Sequence, residues 1–468
     1  MRNKKRESMK IVVLNGSPKG EISVTMQYVA YIRKIFPGHE YRIVNAASEI
    51  RKIETDPAAF VAIAEDLRSA DLVLWAFPLY YLLVSSQFKQ FIELLFARDA
   101  GDACRGKYAA SISTSIHFMD HLAHRYIRAV SEDLGMQFLG AYSAEMADLL
   151  SEKERARLET FVRLLAADVQ RRLPVQREYA PLAWPELTYI PGPVPAPGSV
   201  NIRDAPGRKI VIVTDATDGS GNLAKMAARV SAAFAGNATV DTINLHDAGI
   251  SGGCLGCLRC GYDNQCIYRD GYREFFEKKL VPADIIVIAG TVRDRYLSAR
   301  WKQFFDRSFY LGHTPGLAGK QIGFVIAGPL RQLPHLREAL TAWAENQRCS
   351  AGFVTDEVSG SEELDSFLDA FAGRLADAAA AGYIPPPTFY SVGGHKIFRD
   401  KIYGRMRLPF QADYRYYAKH GMFDFPQCDW KTRAGNAVII PLTRIPAFRK
   451  KLFANIKQHM VRPFKTVL

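Results

Sequence analysis

Short aliphatic runs punctuate this chain, separated by stretches with the spacing of helices. In the N-terminal part they fall at 11–14, 41–44, 71–77 and 108–113, and further on at 210–213, 239–245, 284–289 and 321–327. The first run of each set is continuously apolar, leads into a Gly- and Ser-containing loop, and is followed by a helical pattern. Strands alternating with helices in this way predict an α/β chain with doubly wound parallel sheets. In such sheets a ligand sits beyond the carboxyl ends of the strands where strand order reverses, so the loops after strands one, three and four are where chemistry is expected.

The two sets of runs are copies of one pattern. Ala70-Asp71 with the following LVLWAF matches Ala283-Asp284 with IIVIAG at a shift of 213, and the same shift carries Lys89 onto Lys302, Phe91 onto Phe304 and Glu93 onto Asp306. Upstream, Lys10-IVVL matches Lys209-IVIV at 199, so the second copy has gained 14 residues between its first and third strands. Those residues include a cysteine cluster. A length of 468 residues suits two or three domains. The stretch Pro174 to Pro206 holds eight of the 24 prolines and reads as an extended linker, and a triple proline at 385–387 marks a second break. The expected organisation is a first domain at 1–173, a linker at 174–207, a second domain at 208–383 and a basic aromatic extension at 384–468.

Composition is that of a globular protein, with 48% hydrophobic and 23% charged residues. The net charge of +13 is local, because from Ile384 onward 16 basic residues face 4 acidic ones. The apolar run behind the basic Met1–Lys10 is too short for a signal peptide, and the longest apolar stretch, Leu72 to Val84, is too short to span a bilayer. Seven cysteines without a disulfide framework fit a reducing compartment, and the chain is expected in the cytoplasm.

Three constellations carry candidate chemistry. The loop Asn15 to Thr25, NGSPKGEISVT, offers backbone amides, the hydroxyls of Ser17, Ser23 and Thr25, and Lys19 to a phosphate at a helix N-terminus. It lacks the Gly-Lys-Ser/Thr ending of a Walker loop. The loop Phe77 to Glu93 places Pro78, Tyr80 and Tyr81 where a doubly wound sheet receives a planar ring. The third is Cys254-x2-Cys257-x2-Cys260-x5-Cys266, interleaved with glycines. Three thiolates at this spacing can wrap one corner of a cuboidal cluster and a fourth can close it, which favours [4Fe-4S]. Zinc, which usually takes two separated cysteine pairs, suits the array less well, and thiols without metal are the alternative.

Together the first two loops resemble those of the NADPH-dependent FMN reductases, a flavodoxin-like group. The resemblance covers roughly Lys10 to Gly140 and, in weaker form, Lys209 to Val354. It implies two flavodoxin-like domains plus the basic extension. It also implies that Ser17, Pro18, Lys19, Ser23 and Thr25 hold the FMN phosphate, while Pro78, Leu79, Tyr80 and Tyr81, with Ser113 and Thr114, border the isoalloxazine. NAD(P)H is the implied donor. The second copy departs from this pattern, with Asp215 and Asp218 in its first loop and no Pro or paired tyrosines in its third, so FMN is expected in the first copy. The cysteine run is similar to that of the iron-sulfur flavoprotein family, whose members place a cluster beside FMN. Here it lies in the other copy, so exchange is expected between copies or between subunits.

His117, His121 and His124 are spaced to share one helix face, as a flavin border or a solvated face rather than a metal site. In the extension, Phe448, Leu452, Ile456 and Met460 repeat every four residues among basic positions. This predicts a helix packed on the protein's own core, or one docking an acidic protein such as a ferredoxin or an anionic membrane surface. No nucleic-acid motif accompanies the charge. The sequence thus predicts a flavin-dependent oxidoreductase passing electrons between NAD(P)H or a reduced carrier, FMN and a [4Fe-4S] cluster, toward a small-molecule acceptor or a ferredoxin-like protein. The chain is expected as a homo-oligomer or an internal pseudo-dimer. The alternatives are an FMN-dependent quinone-type reductase without a cluster and a non-catalytic electron carrier. No catalytic side chain stands out.

Overall fold

The computed structural model describes residues 8–194, 207–235, 238–424 and 430–455, with the backbone alone at 431–433. Five parallel strands form the first sheet: β1 (Lys10–Asn15), β2 (Glu40–Val44), β3 (Leu72–Pro78), β4 (Tyr108–Ser115) and β5 (Gln137–Glu145), in the order β2-β1-β3-β4-β5. This is the flavodoxin order. The second sheet repeats it with β6 (Arg208–Thr214), β7 (Ala238–Asn244), β8 (Ile285–Arg293), β10 (Gln321–Ala327) and β11 (Ser350–Thr355) in the order β11-β10-β8-β6-β7. A two-residue strand, β9 (Tyr296–Leu297), turns back antiparallel on β8. Every predicted strand is present. The central strands β3, β4, β8 and β10 are buried almost end to end because helices cover both faces. The unpredicted β5 and β11 are edge strands of small and mixed residues, half-exposed along much of their length, and so lack that apolar signal.

The helices that matter below are α1 (Val24–Ile35), α2 (Ser86–Ala97), α3 (Asp120–Asp133), α4 (Asn222–Phe234), α5 (Ala299–Arg307), α6 (Phe389–Tyr403), α7 (Trp430–Leu442) and α8 (Pro446–Ala454). Helices α2 and α5 pack on one another and join the two copies through a shared core that includes Phe88 and Phe91 on one side and Trp301, Phe304 and Phe305 on the other.

Polar contacts across this seam repeat under the shift of 213. Lys89 Nζ donates to the carbonyl of Arg293 at 3.1 Å, and Lys302 Nζ donates to that of Tyr80 at 2.9 Å. Glu93 accepts the amide of Ala299 at 2.6 Å, and Asp306 accepts that of Ser86 at 2.7 Å. Each lysine also pairs with the acid one turn on, Glu93 or Asp306. The two copies thus meet through the same surface of each, as the halves of a two-fold dimer do. Their hairpin turns match too. Tyr81 and Leu82 take φ of 39° and 70°, while Asp294 and Arg295 take 46° and 63°.

The described part of the Pro-rich linker is extended: at Arg177 to Tyr179 it bonds Glu132 and Asp133 of the first copy, and from Ala183 onward it is anchored along the second. Tyr189 is fully buried in that copy's core with its hydroxyl on Asp365, and its amide donates to Asn222 Oδ1 at 2.9 Å. The rest of the linker, 195–206, lies outside the described residues. The chain forms two compact units, one running through Tyr414 and the second beginning at Arg415. The first part of the extension, with α6, therefore belongs to the same unit as both sheets.

Candidate functional site

At the end of β1, the buried Ser17 accepts the amide of Lys19 at 3.2 Å, which curls the loop. Ser23 is the N-cap of α1 and accepts the amide of Met26 at 3.3 Å. The amides of Val24 and Thr25 head the helix, where intrahelical partners do not reach, so they are open to an anion. Pro18 is half-buried and Lys19 exposed at the loop's outer edge. Thr25 is spoken for: its hydroxyl meets that of Thr114, at the end of β4, at 2.6 Å. That bond ties the phosphate-type loop to the strand predicted to border a ring.

The β3 loop closes on the same strand, with the Leu79 amide donating to the Thr114 carbonyl at 3.1 Å and Pro78 in register with Thr114. Tyr80 and Leu83 then exchange backbone hydrogen bonds around the left-handed Tyr81-Leu82 turn. The two tyrosines part company here. Tyr81 points into the second copy, where its ring packs edge-on against Phe309 and its hydroxyl accepts from Gln347 Nε2 at 3.1 Å. The hydroxyl of Tyr80 is buried without a hydrogen-bond partner.

What Tyr80 faces is the cysteine loop of the second copy. A Cβ on Gly256, whose φ is +62°, would collide with the Tyr80 hydroxyl and come within 3.0 Å of Lys19 Cε. A Cβ on Gly253 would collide with Ser86. Gln87 Nε2 donates to the Cys254 carbonyl at 3.2 Å, and Arg51 Nη2 donates to the Ser251 carbonyl at 3.0 Å. Two glycines therefore let the loop lie directly on the first copy's β3 loop and the start of α2.

The base of the cysteine loop is clamped by Arg307. Its guanidinium grips Asp270 with two bonds of 2.8 Å, donates to the Gly252 carbonyl at 3.0 Å, and lies 4.2 Å over the Tyr268 ring. Burial works to raise the Asp270 carboxyl, but hydrogen bonds from Arg307 and Ser251 outweigh it and hold it well below the usual range. Cys254, Cys257, Cys260 and Cys266 share this loop, and burial pushes the thiols of Cys254 and Cys260 up to about 12. Among the described residues no group of three or more His, Cys, Asp or Glu side chains converges to hold a single ion.

The extension completes the surroundings. On α6, Phe398 stacks near Phe118 and His313, with ring centroids 5.6 and 4.2 Å away, and Lys401 reaches Glu145 at 2.7 Å. Gly261 in the cysteine loop is so close to the Pro409 carbonyl that a Cβ would collide with it. His313 and Asp413, both buried, meet at 3.3 Å.

The three histidines do not share a face. His117 has φ of 62° and precedes α3, which starts only at Asp120 after the left-handed Met119. It bonds Asp120 at 3.1 Å, whereas His121 meets Glu338 of the second copy at 3.1 Å. His124 is buried between Ser111 and Ser113, at 2.7 and 2.8 Å, and burial lowers it to about 4, so it is neutral. Ser113 is therefore held by an imidazole beneath the strand end.

At the second copy's equivalent loops the chain supplies its own partners. Asp218 takes the amides of Ser220 and Gly221, at 2.9 and 2.7 Å, where an anion would bind ahead of α4. Asp215 is buried against Ser298, and burial raises its carboxyl. Trp184 of the linker sits where a Cβ on Gly328, after β10, would come within 3.0 Å of its ring.

Several of these residues were not among the sequence candidates. Ser86, Gln87 and Arg307 carry no motif of their own. Lys302 and Asp306 were visible as the partners of Lys89 and Glu93 under the 213 shift, but that match does not by itself say that the two pairs meet.

The profile of the NADPH-dependent FMN reductase family matches the chain twice, over residues 9–147 and 208–357. An iron-sulfur flavoprotein of Archaeoglobus fulgidus is 28% identical over 179 residues, which cover 36% of this chain and 78% of that protein. Among solved structures, an NADH:FMN oxidoreductase in its apo form superposes with a TM-score of 0.30 and 17% identity, covering 36% of this chain and 92% of that one. The flavoenzyme FerB, an NAD(P)H:(acceptor) oxidoreductase from Paracoccus denitrificans, does so with 0.30 and 19%, covering 35% and 98%. With both sheets in flavodoxin order and the family's profile matched in each, the chain belongs to the NADPH-dependent FMN reductase family as a tandem duplicate, and is an NAD(P)H-dependent FMN oxidoreductase.

Proposed function

We propose that the chain binds FMN in its first copy and a [4Fe-4S] cluster on the four cysteines of its second, and that it passes electrons from NAD(P)H or a reduced carrier between them. The observation that carries this reading is the seating of the cysteine loop on Tyr80, Ser86 and Gln87, which brings the two candidate cofactor loops of a single chain together. Donor chemistry supports the flavin: open amides of Val24 and Thr25, Lys19 and the hydroxyls of Ser17 and Ser23 suit a phosphate, and the orphaned Tyr80 hydroxyl suits a polar ring edge. Four thiols in one clamped loop suit a cluster, whose ligands hold separate corners rather than one ion. FMN, when bound, supplies both two-electron and one-electron chemistry. The chain's own residues orient these loops: the Thr25–Thr114 bond fixes the first copy's loops, Arg307 fixes the base of the cysteine loop, and the Pro409 carbonyl lies against Gly261 within it. A cytoplasmic setting is part of this reading, supported by the free thiols of the six described cysteines.

A plain FMN-dependent reductase of a quinone-type acceptor is the second reading. It is favoured in that, among the described residues, no three His, Cys, Asp or Glu side chains converge on one ion, and buried thiols without a metal are inert. Anaerobic turnover with NADPH separates the two. In the proposed protein, Cys257→Ala abolishes reduction of a one-electron acceptor such as a ferredoxin while leaving reduction of a quinone. Retention of both activities would establish the plain reductase.

A further inference from the structure

Helices α7 and α8, in the unit that begins at Arg415, expose almost everything apolar that they carry. Val438 is 65% exposed, Ile440 61%, Ile445 53% and Phe453 61%, and α8 has no buried residue at all. A helix apolar around its circumference normally lies in a core. Here Ala434 to Leu442 contains Asn436 as its one polar side chain, so packing on the protein's own core does not explain the sequence.

The charge around this apolar stretch has one sign. From Trp430 onward there are nine Lys and Arg and no Asp or Glu. Arg444, Arg449, Lys450 and Lys451 are exposed beside the apolar side chains. A second copy of the same segment would bring like charges together, which disfavours self-association. An anionic bilayer surface satisfies both features, with aliphatic side chains entering the acyl boundary and basic ones meeting headgroup phosphates. Spanning is excluded for α7 by length, since its 13 residues rise about 20 Å against a hydrocarbon core of about 30 Å, and Pro441 interrupts it.

We propose that α7 and α8 form an interfacial anchor that holds the protein on an anionic membrane surface, independently of which cofactors it carries. The test is co-sedimentation of the full chain with phosphatidylcholine vesicles, with and without phosphatidylglycerol. Binding is expected only with the anionic lipid, weakening as salt rises. The charge reversal Arg449→Glu/Lys450→Glu/Lys451→Glu is expected to lower it at least ~10-fold, and Ile439→Asp/Ile440→Asp to lower it similarly. Unchanged circular dichroism and thermal melting report that both variants fold. Equal binding to neutral vesicles, or anionic binding unchanged in both variants, would overturn the proposal. So would retention by an immobilised acidic ferredoxin without any vesicle binding, which would reassign the face to a protein partner.

Discussion

Lys302 and Asp306 are wholly buried, pair with each other, and spend their remaining bonds on the Tyr80 carbonyl and the Ser86 amide. Removing one leaves the other as an uncompensated charge, so Lys302→Ala should cost about 3–5 kcal/mol in a denaturant titration. A methionine there, without compensation at Asp306, should do no better. Two buried histidines set the acid limit. His124 and His335 are lowered by burial from 6.5 to about 4, so between those values the unfolded chain holds more protons than the folded one. Stability is then unaffected above pH 6.5 and falls as pH drops, by about 3 kcal/mol per histidine near pH 4. Thermal melts across this range should show that slope, and His335→Gln should flatten it. None of these roles was legible in the sequence, because a lysine, an acid or a histidine gives no sign of burial until its neighbours from distant segments are known. The glycines of the cysteine run were legible as a device for close approach. What they approach, Tyr80 and Ser86, was not.

The strands and helices were the most readable elements, because their apolar runs are set by covering both faces of a parallel sheet. The loops were readable only as far as their own residues decide them. The sequence marked Asp215 and Asp218 as hostile to a phosphate. In the structure Asp218 takes the amides of Ser220 and Gly221 just ahead of the helix, and the Trp184 ring of the linker packs at Gly328 after β10. A proline-rich stretch reads as a spacer, since its anchoring residues, Tyr189 and Trp184, are recognised only by what they touch. The expected outcome is about one FMN per chain, measured by absorbance after denaturation. Two per chain would mean that Asp218 and the linker yield to the cofactor.

Across the molecule, the duplication supplies within one chain the two-fold surface that separate subunits would otherwise share. Lys89 and Lys302, with Glu93 and Asp306, fill the same places on either side. A solution mass near 52.3 kDa by light scattering is therefore expected in the absence of lipid, and twice that value would show that a further surface pairs. The divergence of the copies then has a physical reading: one keeps the loop proposed here for phosphate, the other carries the cysteine loop, and the seam brings them together. The most direct measurement is iron, acid-labile sulfide and flavin content of the anaerobically purified chain beside Cys257→Ala. About four irons and four sulfides with about one FMN, the metal lost and the flavin kept in the variant, is the predicted result. Flavin without iron in the parent chain would contradict it and leave a reductase whose cysteine loop is structural.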